Sequence, residues 1–417
     1  MASPGLVRAS ILTHTATVTE YRLHGDEYVA DPYPLYRRMA EESPVWLQEA
    51  TGHVYLSRFA DVRAVLMDSH GFSNDRVADR LSRTADGMPA QCLAAILHDR
   101  LVMTDGPHHR ALRQHMRDSF TAKQVRTYEP LVSEVIEGQL AELDWRTPVD
   151  FLGEVALPIP SQIILRVLGF PPTDFVHLRR WTREFYDWLA TSPGTIEERT
   201  EQAYESTEAM RAYVTGLLRE PPASSDSGLL GDLLAAYHAG TLTRDEVVAN
   251  LIGLVNAAHE TTTSLMANAM VLLLRNPDQL ALLLEDPSLI SRAVIEVGRL
   301  ESPAQIISRV VAHDQEFGGL SLHQGELMAL NLAQANRDPD VYPDPDRFDI
   351  TRSGPSPLTF GHGEHFCIGT ALATLETEVL LATLLPRMRG ATILNEPVMW
   401  RPTPAFRCPA ALLIQFT

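Results

Sequence analysis

Apolar positions recur at helical spacing along most of this chain, in blocks closed by proline. Short amphipathic patterns cover residues 31–42 and 61–68, with an alternating, strand-like run at 53–57 between them. From about residue 124, long helical patterns follow one another, punctuated by Pro158-Ile159-Pro160, Pro171-Pro172 and Pro221-Pro222. Residues 221–227, rich in Pro and Ser, predict an exposed loop. Strand-like runs return only in the last third, at 316–322 and 327–330, beside Pro/Asp turns over 337–347. No internal repeat and no linker interrupts the pattern. It predicts one large domain over residues 1–417, mainly α with a small β-rich region, and a poorly ordered segment at residues 1–20.

One helical pattern is unusual. Thr243 with Glu246 three positions on is a capping-box signature, and Asn276-Pro277 is a stop signal. The roughly 30 residues between them exceed the ordinary helix length of about 10–14. Apolar flanks on both sides predict burial. The middle nevertheless reads Asn256-Ala257-Ala258-His259-Glu260-Thr261-Thr262-Thr263. Burying a carboxylate and hydroxyls is costly unless they are paired or used. Two readings stay open: a polar face on a water-filled groove, or an acid beside an alcohol delivering protons, next to small residues that admit something bulky. A zinc-protease reading of His259-Glu260 fails, because residue 263 is Thr rather than the second His.

Composition narrows the classes. The formal charge of −18 argues against non-specific nucleic-acid binding and makes any basic patch informative. Three widely spaced cysteines, Cys92, Cys367 and Cys408, are not a disulfide framework and suit a reducing, cytoplasmic setting. The N-terminus has no signal-peptide pattern. No uninterrupted apolar stretch approaches the ~18–20 residues that span a bilayer, residues 265–274 being broken by Asn268. No membrane association is expected.

The sharpest chemistry lies at Phe360-Gly361-His362-Gly363-Glu364-His365-Phe366-Cys367-Ile368-Gly369, just before a helical run over 371–385. Three glycines in ten residues permit a tight turn close to another group. The following helix N-terminus favours a thiolate at Cys367. Cys367 could ligate haem iron, which thiolates do in oxygen-activating proteins. It could also be a buried structural cysteine, which leaves the glycines unexplained. A zinc site with His362 and His365 lacks an obvious fourth ligand. A nucleophile activated by a histidine also stays open.

Taken together, the motifs resemble the cytochrome P450 family. Phe360-x-x-Gly363-x-x-x-Cys367-x-Gly369 matches that family's haem-binding signature, and Ala258-His259-Glu260-Thr261-Thr262 resembles its oxygen-activation motif, with Ala258 where glycine is usual. Glu296-x-x-Arg299 looks like its buried ion pair, on a helix predicted over 288–301, and Pro345-Asp346-Arg347-Phe348 like the segment supplying a third member, Arg347. All four occur in family order, from about residue 30 to the end. Asn336-Arg337-Asp338-Pro339 and the short N-terminus look like bacterial, actinomycete-type members.

The resemblance implies the cytochrome P450 fold, haem b and an O2-dependent monooxygenase that hydroxylates or epoxidises a small hydrophobic molecule, in secondary-metabolite biosynthesis. Cys367 would be the iron ligand, with Phe360, Gly361, Gly369 and Ala258 around the haem. His109 and Arg113, one turn apart on a helix started by Pro107, would meet its propionates with Arg309 and His365. Glu260 and Thr261 would be the acid–alcohol pair. Arg76, Asn256, Ala304, Gln305, Ile306 and Phe406 are candidate substrate contacts. Arg110 and Arg117 would dock an acidic ferredoxin, fed by a ferredoxin reductase. A monomer is expected. Oxidative C–C or C–N coupling, and haem sensing without turnover, are the competing readings.

Overall fold

Thr243 sets the start of the longest helix. Its hydroxyl accepts from the Glu246 amide, and the Glu246 carboxylate accepts from the Thr243 amide at 2.6 Å. The helix then runs over Arg244–Arg275 and stops at Asn276, ahead of Pro277. Its first and last residues are exposed, and the stretches 247–252 and 262–273 are wholly buried. In the middle, Ala257 is exposed, and Gly253, Leu254, Ala258 and Thr261 are half-buried. Positions 253, 257 and 261 repeat every four residues, so one face of a buried helix is left open over two turns.

The computed structural model describes residues 21–77, 87–189, 195–222, 228–403 and 405–416. The expected segment at 1–20 lies outside the described residues, as do 223–227 of the expected loop. So do 78–86 and 190–194, parts of the segments 74–101 and 185–195 that the family resemblance implies would line the substrate pocket. The helices that position the site are α1 (Met88–His98), α2 (Gly106–Arg117), α3 (Pro158–Leu168), α4 (Phe175–Leu189), α5 (Ile196–Arg219), the long α6 (Arg244–Arg275), α7 (Ile290–Leu300) and α8 (Thr370–Leu384). Helix α6 packs against α3, α4, α5, α7 and α8. The largest apolar cluster gathers around it, including Ile159, Ile163, Leu251, Leu265, Val297 and Leu380.

The β-rich region is a five-stranded sheet of β1 (Val45–Gln48), β2 (His53–Leu56), β3 (Phe72–Ser73), β4 (Ile306–Val311) and β5 (Leu327–Asn331), in the order β1-β2-β5-β4-β3. Only β2 and β5 pair in parallel, Val54 opposite Met328. Strands β1, β3 and β4 were not expected. The run predicted at 316–322 is a hairpin of Gln315–Phe317 and Leu320–Leu322, turning through Gly318 and Gly319 at φ 57° and 82°. One correction concerns apolar length. Phe151–Leu168 is long and apolar enough to cross a bilayer, but 72% of it is buried inside the protein. Ile159, Ile163 and Leu168 are at 0% exposure, which makes it a core helix.

Candidate functional site

The cysteine loop is built from its glycines and from α7. Gly361 and Gly363 have φ of 72° and 74°, and a β-carbon on Gly363 would lie 2.5 Å from the Leu66 carbonyl oxygen. The Cys367 amide donates to the Phe360 carbonyl at 2.9 Å, closing the loop. At its base Thr359 Oγ1 donates to the Gly298 carbonyl at 2.7 Å, and Asn336 accepts from the Leu358 amide at 2.7 Å.

Helix α7 is held by an ion network. Arg299 Nε and Nη2 donate to both oxygens of Glu296 at 2.7 and 2.8 Å, and both side chains are buried. The third cation is Arg352, whose Nε lies 3.1 Å from Glu296 Oε1. This corrects the expectation of Arg347, which is exposed and joins only through its carbonyl, accepting from Arg299 and Arg352. The turn after Phe348 brings the Asp349 amide and Arg352 onto Glu296 and points the Arg347 side chain outward.

Cys367 is solvent-accessible, yet burial pushes its thiol above the ordinary value. Both hold for a side chain lining an enclosed cleft. Opposing the rise are hydrogen bonds from the Gly369 amide and from Thr370, and the Arg113 charge. Polar donors are thus aimed at the sulfur, and a ligated cation would complete its deprotonation.

Beside the loop sits a cluster of basic side chains. His109 is 1% exposed, and neither ring nitrogen has a partner. It packs on His365, with ring centroids 4.0 Å apart. His365 Nε2 lies 3.1 Å from Asp105 Oδ1, and Asp105 also accepts from the Asn74 amide at 2.9 Å. Arg113 Nη2 donates to the Phe366 carbonyl at 2.6 Å. Arg309 is buried, which lowers its guanidinium to about 10. Burial, reinforced by His365 and Arg113, pushes His109 down to about 4. Four of the expected residues therefore converge, His109 and Arg309 buried and Arg113 and His365 half-buried, with the His109 ring left without a partner among the described residues.

Across the cleft, Thr261 Oγ1 donates to the Ala257 carbonyl at 2.8 Å, one turn back. Glu260 Oε2 is held 2.7 Å from Arg401 Nη1, a partner 141 positions away that no local signal announces. His259 turns away, into a buried hydrogen bond with Ser161. Cys408 is buried at 1% exposure.

These residues fit the implied haem. It is a flat apolar group with two carboxylates, and the open small-residue face of α6 and the unsatisfied His109 match its two halves. Four basic residues would take the carboxylates, and Cys367 offers a thiolate to the iron.

The substrate candidates divide. Ala304 bridges to Phe406, Ile306 begins β4, and the Phe406 ring meets Tyr186 of α4 edge-on at 5.7 Å, so an apolar wall forms. The polar candidates are corrected. Arg76 is buried and donates to the Asn74, Ser308 and Val102 carbonyls. Gln305 is 2% exposed and donates to the Ser302 carbonyl. Asn256 differs: it is 3% exposed and its Oδ1 accepts from Thr182, but its Nδ2 has no partner among the described residues, so it stays a candidate. For Arg76 and Gln305, tertiary packing supplies the acceptors that their donors would have sought in a ligand.

A family profile described as Cytochrome P450 matches residues 170–399. The chain is 36% identical to the vitamin D(3) 25-hydroxylase of Pseudonocardia autotrophica, over 93% of this chain and 94% of that one. It is 33% identical to the cytochrome P450 monooxygenase PikC of Streptomyces venezuelae, over 94% and 92%. Its fold is similar to the crystal structure of CalO2, with a TM-score of 0.88 at 29% identity, over 96% and 99%.

Proposed function

Since the chain belongs to the cytochrome P450 family and is a cytochrome P450 monooxygenase, we propose that Cys367 is the proximal ligand of a haem b. When bound, the haem supplies reductive activation of O2 and transfer of one oxygen atom to the substrate. The observation that carries the assignment is the His109 cluster. A buried imidazole with two unsatisfied nitrogens, flanked by Arg113, Arg309 and His365, suits the two propionates.

The chain's own residues then divide the work. Gly361 and Gly363 let the loop bring Cys367 up to the cleft, and the Gly369 amide with Thr370 steadies negative charge on its sulfur. Phe360, Gly361, Gly369 and Ala258 would border the macrocycle. On the opposite side the Thr261 hydroxyl and Glu260 carboxylate hold and pass protons, with Arg401 fixing the carboxylate. The wall of Ala304, Ile306 and Phe406 takes an apolar substrate, hydroxylated or epoxidised in secondary-metabolite biosynthesis.

Electrons reach the cysteine side from an acidic iron–sulfur ferredoxin docked on Arg110 and Arg117, whose side chains are 59% and 65% exposed. The protein acts as a cytoplasmic, single-domain monomer. Replacing Cys367 with Ala abolishes the carbon-monoxide-shifted Soret band of the reduced protein; persistence of that band would sink the assignment.

A further inference from the structure

Arg100 is 5% exposed, and its guanidinium donates no hydrogen bond among the described residues. Its Nε and Nη2 are sealed from solvent without acceptors. Among the described residues no carboxylate compensates the charge: burial lowers the guanidinium to about 10, and of these residues only Tyr186 favours the charged form. Its other close neighbour is the Phe185 ring of α4, 4.6 Å from the guanidinium carbon to the ring centroid. Buried cations are ordinarily paired, because an unpaired one costs several kcal/mol.

The fold holds this residue in place deliberately. Asn250 of α6 accepts from the Leu101 amide at 2.7 Å and donates to the Asp99 carbonyl at 2.8 Å, pinning the backbone on both sides of Arg100. The side chain then runs across Gly253, where a β-carbon would lie 3.6 Å from Arg100 Cδ. Gly253 shares the open face of α6 with Ala257 and Thr261. One turn on, Asn256 Nδ2 is a second buried donor without an acceptor.

We infer that Arg100 recognises an anionic group on the substrate, most simply a carboxylate, with Asn256 as a second donor. This rests on the monooxygenase reading above and adds the chemical class of the substrate. Gly253 and Thr261 are eight residues apart, about 12 Å along the helix axis. The oxidised carbon therefore lies on the order of 10 Å from the carboxylate, beyond an apolar stretch that meets Phe406 and Ile306. A carboxylate accepts from Nε and Nη2 along one edge of the guanidinium; an ester or alcohol lacks the charge to compensate Arg100.

The test uses the ferric holoprotein and three probe acids, decanoic, dodecanoic and tetradecanoic, each beside its methyl ester. Titrations follow the low- to high-spin shift in the wild type, Arg100→Leu and Arg100→Lys. The wild type is expected to bind at least one acid about tenfold or more tighter than its ester. Arg100→Leu loses that preference and Arg100→Lys retains part of it. Because the charge is unpaired, Arg100→Leu also melts a few degrees higher than the wild type without ligand. Equal affinities for acid and ester at every length overturn the inference, as does a preference that survives in Arg100→Leu. A loss of bound haem or a lower melting temperature in Arg100→Leu also overturns it, since Arg100 would then serve the cofactor or the fold. The carbon-monoxide spectrum of the reduced wild type separates the two claims. Its absence defeats the haem-thiolate reading; its presence without acid preference defeats only this one.

Discussion

Arg299 ties the cysteine loop to the rest of the molecule, and replacing it with Lys measures that tie. Its side chain donates five hydrogen bonds: two to Glu296, and one each to the carbonyls of Asn336, Pro345 and Arg347. An ammonium has three donors at a single point and cannot copy the planar fork. At least two charge-assisted bonds are lost, at about 1.5–3 kcal/mol each. Arg352 stays on Glu296, so the buried carboxylate is not left bare and the loss stops short of full uncoupling. The expected destabilisation is about 3–5 kcal/mol, the range for breaking a buried pair. Urea unfolding of the haem-loaded protein, followed by circular dichroism, reads it. Arg299 also positions Asn336, which accepts from the Leu358 amide at the root of the loop, so the carbon-monoxide spectrum should lose intensity in parallel. Two controls sharpen the test. Arg352→Ala costs about 1.5–3 kcal/mol for its charged bond to Glu296. Arg347→Ala stays within about 0.5 kcal/mol, because its side chain is exposed and its carbonyl survives. A loss below about 1 kcal/mol in Arg299→Lys, or a larger loss in Arg347→Ala than in Arg352→Ala, refutes the reasoning.

Thr261→Ala keeps haem and substrate binding but diverts reducing equivalents to peroxide or water; an unchanged ratio of product to electrons consumed counts against a relay through this hydroxyl. Charge reversal at both Arg110 and Arg117 slows ferredoxin-supported reduction and weakens its salt dependence, and stopped-flow rates equal to wild type would rule out docking there. Acid sensitivity should trace partly to His259, which burial pushes down to about 4 from 6.5. The unfolded chain then binds the extra proton between those values, so stability falls as pH drops from about 6.5 to about 4, by at most about 1.4 kcal/mol per unit. His259→Asn removes that contribution, and an unaltered slope of urea stability between pH 7 and 5 contradicts it.

What could be read from the sequence was written locally. The capping box at Thr243 and the stop at Asn276-Pro277 bound α6 within a few residues, and Glu296 meets Arg299 because positions three apart on a helix share a face. The glycines around Cys367 predicted a tight loop for the reason the structure displays, close approach to the Leu66 carbonyl. What stayed hidden depends on chain segments that meet only after folding. Strand β4 escaped because its residues are almost evenly half-buried, with no alternation to read. Arg352 rather than Arg347 reaches Glu296 because an irregular turn, not a periodic element, chooses between two arginines five positions apart. The buried polar residues make the same point from the energetic side. Arg76 and Gln305 looked available for a ligand because sequence shows the donor but not the carbonyls that satisfy it. Glu260 is the reverse case: its chemistry was visible, and the Arg401 that orients it was not. Arg100 completes the series, since it drew no notice as one arginine among many and stands out only after packing, when no described residue accepts from its Nε or Nη2. In a folded protein the functional signal is therefore less the presence of a polar group than its remaining unpaired after packing has offered it every partner.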